Sequence, residues 1–151
     1  MATIRTAGTE IIRTAHFKNT NDTDQKLIIG VQHHIYTVLS IVIACNAVNA
    51  AADKVYVRLK GWNNTAGNSA QTIHLIEANM AVGDVFAWED KFSFNGYEPL
   101  AGSMSGTLST AAEQDAIADQ ASAVSQYLYN TATHSSDTYD ITVTYIDQNN
   151  A

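Results

Sequence analysis

The chain has 151 residues, enough for one domain with a real core and too few for two. Its charged fraction of 15% is low against a usual value of about 25%, and Thr, Asn, Ser and Gln stand where the charges would be. A net charge of -7, with 8 Lys and Arg spread along the chain and no basic stripe among them, excludes a nucleic-acid partner from expectation.

From the N-terminus, MATIRTAGTEIIRT lacks the apolar core of a signal peptide, so synthesis and folding in a cytoplasm are expected. TEIIRTAHF reads as a first strand, and the polar turn KNTNDTDQ separates it from the rest. Residues 1–17 are therefore expected as an N-terminal arm or edge strand, placed to add a strand to a neighbour's sheet, and residues 18–151 as a single domain. The turn offers Asn19, Asn21, Asp22 and Asp24, but it has neither the central Gly nor the closing Glu of a calcium loop, so it reads as a solvated turn.

KLIIGV follows, and then VQHHIYTVLSIVIACNA, the most apolar stretch of the chain. A membrane-spanning helix needs about 20 apolar residues. This run is shorter and contains Thr37, Ser40 and Asn46, so no membrane partner is expected. Its β-branched residues fit a central strand covered on both faces. His33 and His34 at its mouth are adjacent, so on a strand they point to opposite faces and do not converge on one metal ion. His16, His74 and His134 have no partner at metal-ligand spacing. Cys45, the one cysteine, excludes an internal disulfide and a Cys-based zinc cluster, and reads as a small buried apolar residue.

DKVYVRLKGW alternates cleanly, with Val55, Val57 and Leu59 on one face and Tyr56, Arg58 and Lys60 on the other. TIHLIEA sets Ile73 and Leu75 against His74, and DVFAWEDKFSF gives one or two aromatic-rich strands. LSTAAEQDAIADQAS breaks the period of two. Ser109 or Thr110 is suited to cap a helix there, with Glu113 at capping-box spacing, so a short helix or long loop is expected near 109–121. SAVSQYLYN sets Val124, Gln126 and Leu128 against Ser125, Tyr127 and Tyr129, and YDITVTYI sets Tyr139, Ile141, Val143 and Tyr145 against Asp140, Thr142 and Thr144. Turn signals fall between these runs at NAAAD, GWNNTAGNSA, AVGD, NGYEPLAGSMSG and HSSD. The sum is an all-β fold, an antiparallel β-sandwich of jelly-roll type with about seven or eight strands.

No catalytic constellation emerges. There is no G-x-S-x-G elbow, the Gly102 and Gly106 loop has no strand-to-helix setting for phosphate, and no two carboxylates are placed across a groove by the sequence. No catalytic residue, metal or cofactor is expected. The residues that read best as partner contacts are Trp62, Asn63 and Asn64 at an expected loop tip, and Ile11, Ile12 and Phe17 in the N-terminal segment.

From about residue 35 onward, IYTV, VYVRLKG, LIEANMAVGDVF and the tail STAAEQDAIADQ…YDITVTYIDQNN resemble small all-β virion proteins of tailed bacteriophages. That resemblance implies a capsid decoration or cement protein, or an accessory part of neck, tail or fibre, with no catalytic residues. It implies a trimer or other homo-oligomer, contact with the phage major capsid protein or other virion proteins, and a place in the virion. A carbohydrate- or receptor-binding module, with Trp62 stacking on a sugar, is the alternative.

Overall fold

The computed structural model describes residues 9–63, 69–99, 110–112 and 123–149. They contain eleven strands: β1 (Glu10–Thr20), β2 (Gln25–Ile29), β3 (His34–Ala47), β4 (Lys54–Asn63), β5 (Ser69–Asn79), β6 (Val85–Trp88), β7 (Phe92–Asn95), β8 (Tyr97–Pro99), β9 (Ala123–Ser125), β10 (Tyr127–Ala132) and β11 (Thr138–Asn149). Sheet 1 has the order β1-β11-β3-β6, with β7 on the same flank of β3 as β6. Sheet 2 has the order β2-β10-β4-β5, and β8 and β9 form a separate two-stranded ribbon. All pairings are antiparallel.

The chain stays in one sheet for the β4–β5 hairpin and the β6–β7 turn and otherwise passes from one sheet to the other, by way of the β8–β9 ribbon between β7 and β10. This is the jelly roll, an antiparallel β-sandwich. Strands β6 and β7 share one position, pairing with Ile41–Ala44 and Ile35–Val38 of β3 in turn. That split and the β8–β9 ribbon account for the strands beyond the seven or eight expected. The helix or long loop expected near 109–121 lies outside the described residues except at 110–112.

The core lies between the inner faces of the two sheets. Tyr139, Ile141, Val143 and Tyr145 of β11 and Val38, Ile41 and Ile43 of β3 meet Val55, Val57 and Leu59 of β4 and Leu128 of β10. Full burial of such a side chain stabilises by about 1.5–3 kcal/mol. Phe94 stacks on Tyr36 at 5.3 Å between ring centroids and extends the core beneath β7.

Three local readings need correction. Strand β3 is central in sheet 1, yet only one face of it is buried. Its outward positions hold Ile35, Val42 and Ala44, and the register shifts near Leu39, so neither composition nor period reveals the alternation. In β5 a register shift beside Leu75 takes Ile73 out of the core, leaving it 47% exposed. The run SAVSQYLYN is not one strand but two, β9 and β10, interrupted at Gln126, which is buried.

The two ends of the sandwich are closed differently. At one end, three connections finish in the same turn, at Asp53, Asp84 and Asp137. Each aspartate donates its N–H to the carbonyl three residues back, at 3.0 Å from Ala50, Ala81 and His134 respectively. Each carboxylate then accepts the N–H of that same residue, again at 3.0 Å. Asp137 also accepts the Asn49 N–H at 2.8 Å, tying two loops together.

At the other end three segments meet backbone to backbone. Gly30 N–H donates to the Gln126 carbonyl at 2.7 Å, Gln126 N–H to Gly96 at 2.8 Å, and Gly96 N–H to His34 at 2.7 Å. A β-carbon on Gly30 would sit 2.0 Å from the Gly96 carbonyl oxygen, and one on Gly96 2.0 Å from that of Val31. Only glycine permits this approach. The Gln126 side chain completes the clasp, donating to the Asn95 carbonyl at 3.0 Å and to its Oδ1 at 2.7 Å.

Candidate interaction surfaces

Strand β1 forms one margin of sheet 1. It pairs with β11 from Glu10 to Thr20, and no described strand lies along its other side. Its inward residues Ala15 and Phe17 pack against the core. Nearer its start, Ile11 is 46% exposed and Ile12 69% exposed. A long edge with exposed apolar side chains is a template for pairing with another chain.

The outer face of sheet 1 continues from this edge. The register places Thr14 beside Thr144 and Ser40, His16 beside Thr142 and Val42, and Ile12 beside Ile146 and Thr37. His16 Nδ1 lies 3.0 Å from Thr142 Oγ1, and Thr37 and Ser93 share a hydrogen bond at 2.9 Å. These rows carry hydroxyls and aliphatic groups and no lysine or arginine.

Beside the same margin, Asp147 is buried and joins two partners. Its Oδ1 meets His34 Nδ1 at 2.6 Å, and its Oδ2 lies 3.5 Å from Arg13 Nε. The His34 ring stacks at 5.9 Å on Tyr36, whose pKa is pushed up to about 12 by burial and by the Asp147 charge. Arg13 is itself exposed, so this cluster fastens β1 to β11 and β3. Its neighbour His33 takes a left-handed conformation (φ 65°) in the turn before β3, so the two histidines are separated by backbone geometry.

The outer face of sheet 2 is of another kind. Lys60 sits beside Tyr127, and Arg58 sits beside Tyr129, which in turn sits beside Lys26. The Lys26 ammonium stands 4.6 Å over the Tyr127 ring and the Arg58 guanidinium 4.3 Å over the Tyr56 ring. Tyr127 and Tyr129 contact each other at 5.7 Å. Lys54 pairs with Glu77 at 2.7 Å, which raises the lysine pKa and lowers that of the carboxyl. Lys26, Lys54, Arg58 and Lys60 are half of the 8 cations of the chain, and in the sequence they are spread over two distant stretches. The absence of a cluster, expected from the sequence, is thus corrected by sheet register. Outward positions were readable in VYVRLK and YLY; which strands lie side by side was not.

A cleft of about 300 Å³ lies between the β3–β4 and β5–β6 connections, lined by Val48, Ala50, Met80 and Ala81 among others. Cys45 is buried beside it, its Sγ 3.9 Å from the Met80 carbonyl, and burial pushes the thiol pKa up. In the turn before β2, Asn21 Oδ1 accepts the Thr23 N–H at 2.9 Å and Asn19 N–H donates to Asp140 at 3.0 Å. Among the described residues no group of three or more His, Cys, Asp or Glu is placed to hold a metal ion, and no helix is long and apolar enough to cross a membrane.

The residues singled out in the sequence therefore fall in different places. Ile11 and Ile12 stand exposed on β1, and Phe17 turns inward. Trp62 and Asn63 belong to the end of β4, paired with Ala70 and Ser69 of β5. Asn64 lies outside the described residues.

The chain matches no protein-family model and no curated protein. Several solved structures are loosely similar. A protein of the Bacillus endospore appendages, a family of disulfide-linked pili, shares 9% identity at a TM-score of 0.41, over 100% of this chain and 97% of that one. A chain of the infectious bursal disease virus Gx strain shares 6% identity at a TM-score of 0.46, over 95% of this chain and 33% of the viral one. A chain of the T13 particle of the same virus shares 8% identity at a TM-score of 0.40, over 99% and 37%. This chain thus spans about a third of the viral chains. The jelly-roll assignment rests on the strand order described above.

Proposed function

We propose that this chain is a structural subunit of a virion, working by contact with copies of itself and with neighbouring coat proteins. In its finer form the reading is a decoration or cement protein on the capsid of a tailed phage. The observation that carries it is the β1 margin: eleven residues of edge strand with Ile11 and Ile12 exposed, continuous with outer rows of hydroxyl and aliphatic side chains at Ile12, Thr14, Thr142, Thr144 and Ile146. Full burial of an exposed isoleucine is worth about 1.5–3 kcal/mol, so covering what Ile11 and Ile12 still expose is worth about half to two-thirds of that each, and edge pairing adds backbone hydrogen bonds. Subunits that bind only the assembled shell stabilise it by mass action.

The test is a pair of charge substitutions on the edge, Ile11→Lys and Ile12→Lys. Both sites are exposed, so circular dichroism is expected to show an unchanged fold. Sedimentation is expected to show a smaller species than the wild type, and binding to purified phage shells is expected to fall. Wild-type mass and undiminished shell binding in the double variant would overturn the reading. The alternative sugar-binding module is motivated by Trp62 and Asn64; the described side chains include neither.

A further inference from the structure

We infer that the outer face of sheet 2 is a second self-contact site, and that its occupant is the acidic, apolar margin of sheet 1 on another copy. The inference rests on the structural-subunit reading and extends it from one interface to two.

The face presents cations held over aromatic rings: Lys26 on Tyr127, Arg58 on Tyr56, and Lys60 beside Tyr127. The carboxylates near it are Glu77, bound to Lys54, and Asp24, close to Tyr127. In a chain of net charge -7 the excess of acid must stand elsewhere. One such place is the stretch from the β5–β6 turn to the β6–β7 turn, where the exposed Asp84, Glu89 and Asp90 outnumber the exposed Lys91. The same stretch exposes apolar side chains: Val82 is 64% exposed, Val85 65% and Phe86 37%.

The two surfaces complement each other in both respects. Carboxylates meet ammonium and guanidinium groups, and aliphatic and aromatic side chains cover tyrosine rings, which supply much of the energy at protein contacts. Stacking on Tyr56 fixes the Arg58 guanidinium in one orientation.

The two surfaces lie on different sheets, so the contact joins unlike patches. Such head-to-tail contacts close into rings or continue as filaments, whereas a contact of like patches stops at a dimer. Together with the β1 margin this gives each subunit two independent directions of growth.

The experiment uses two double variants of the full chain. In one, Lys26→Glu and Lys60→Glu reverse the face. In the other, Glu89→Lys and Asp90→Lys reverse the margin. Asp84 is left alone because its carboxylate holds a turn. Each variant, folded by circular dichroism, is expected to self-associate at least about tenfold more weakly than the wild type at low salt. Mixed in equal amounts they are expected to associate again, since each reversed surface then meets a reversed partner. Wild-type association is expected to weaken as salt rises. Variants that assemble like the wild type, or a mixture that stays dissociated, would overturn the pairing of these two surfaces. So would capture of acidic oligosaccharides by the wild-type face with no change in oligomer mass. A wild-type chain that stays monomeric at every salt concentration yet binds purified shells defeats only this self-contact, whereas one that also fails to bind shells defeats the subunit reading itself.

Discussion

At the end of the sandwich where β3 gives way to β4, three loops close on aspartate side chains; at the opposite end, three segments close backbone to backbone, with the Gln126 side chain completing the clasp. The aspartate turns are modular. Each holds its own loop with one residue, and only Asp137 reaches across to a second loop. The glycine clasp is collective. Gly30, Gly96 and Gln126 come from the β2–β3, β7–β8 and β9–β10 junctions, and their bonds run in series from Gly30 to Gln126, to Gly96 and to His34. Modular closures tolerate change one loop at a time, whereas a collective one fails as a unit.

The largest expected effect is therefore at the clasp. Gly96→Ala puts a methyl group 2.0 Å from the Val31 carbonyl oxygen, where backbone and not a flexible side chain must yield. A loss of about 3 kcal/mol or more is expected, by chemical denaturation, together with faster amide exchange at Gly30 and Gln126. A near-neutral Gly96→Ala would show that the clasp is looser than its geometry implies.

The aspartate end should respond in graded steps. Asp137 is fully buried and its carboxylate accepts two backbone N–H groups, so Asp137→Ala is expected to cost about 3 kcal/mol. Asp84 is exposed and its carboxylate accepts one, so Asp84→Ala is expected to cost about 1 kcal/mol. Equal losses measured by urea titration would contradict the view that cross-loop bonding sets Asp137 apart.

The same contrast explains what could be read in advance. The aspartate turns were legible because each is local: AAAD, AVGD and HSSD carry the whole device within four residues. The inward faces of β4 and β11 were legible for the same reason, since Val55-Val57-Leu59 and Tyr139-Ile141-Val143 alternate without interruption. The clasp was not, because the glycines it needs are distant in sequence and each looks like an ordinary loop glycine alone. The cationic face was legible only in part: Arg58 and Lys60 alternate on β4, but only the order β2-β10-β4 brings Lys26 to the same face. Ile11, Ile12 and Phe17 were singled out together, yet the first two stand exposed on the β1 margin while Phe17 packs against the core, a difference that nearness to the start of the chain does not give.

Each end also buries a tyrosine whose pKa is strongly raised, and these two give the finest test of the contrast. Tyr36 lies at the clasp end and Tyr139 at the aspartate end, and burial pushes each pKa from 10.0 up to about 12. A raised pKa means the folded state keeps its phenolic proton longer than the unfolded chain does. The resulting stability is intact below about pH 10 and is lost as pH rises through about 12, by about 2–3 kcal/mol for each ring. At neutral pH the two hydroxyls differ. That of Tyr36 accepts the Val31 N–H at 3.1 Å, while that of Tyr139 has no hydrogen-bond partner among the described residues. Tyr36→Phe is therefore expected to cost about 1–2 kcal/mol by orphaning a backbone donor. Tyr139→Phe removes an unsatisfied buried hydroxyl and is expected to be neutral or slightly stabilising. Both variants should flatten the alkaline limb of a thermal-stability profile, and only the first should lower its plateau. If Tyr139→Phe lowers the plateau as much, its hydroxyl has a partner, and the aspartate end is as interlocked as the clasp.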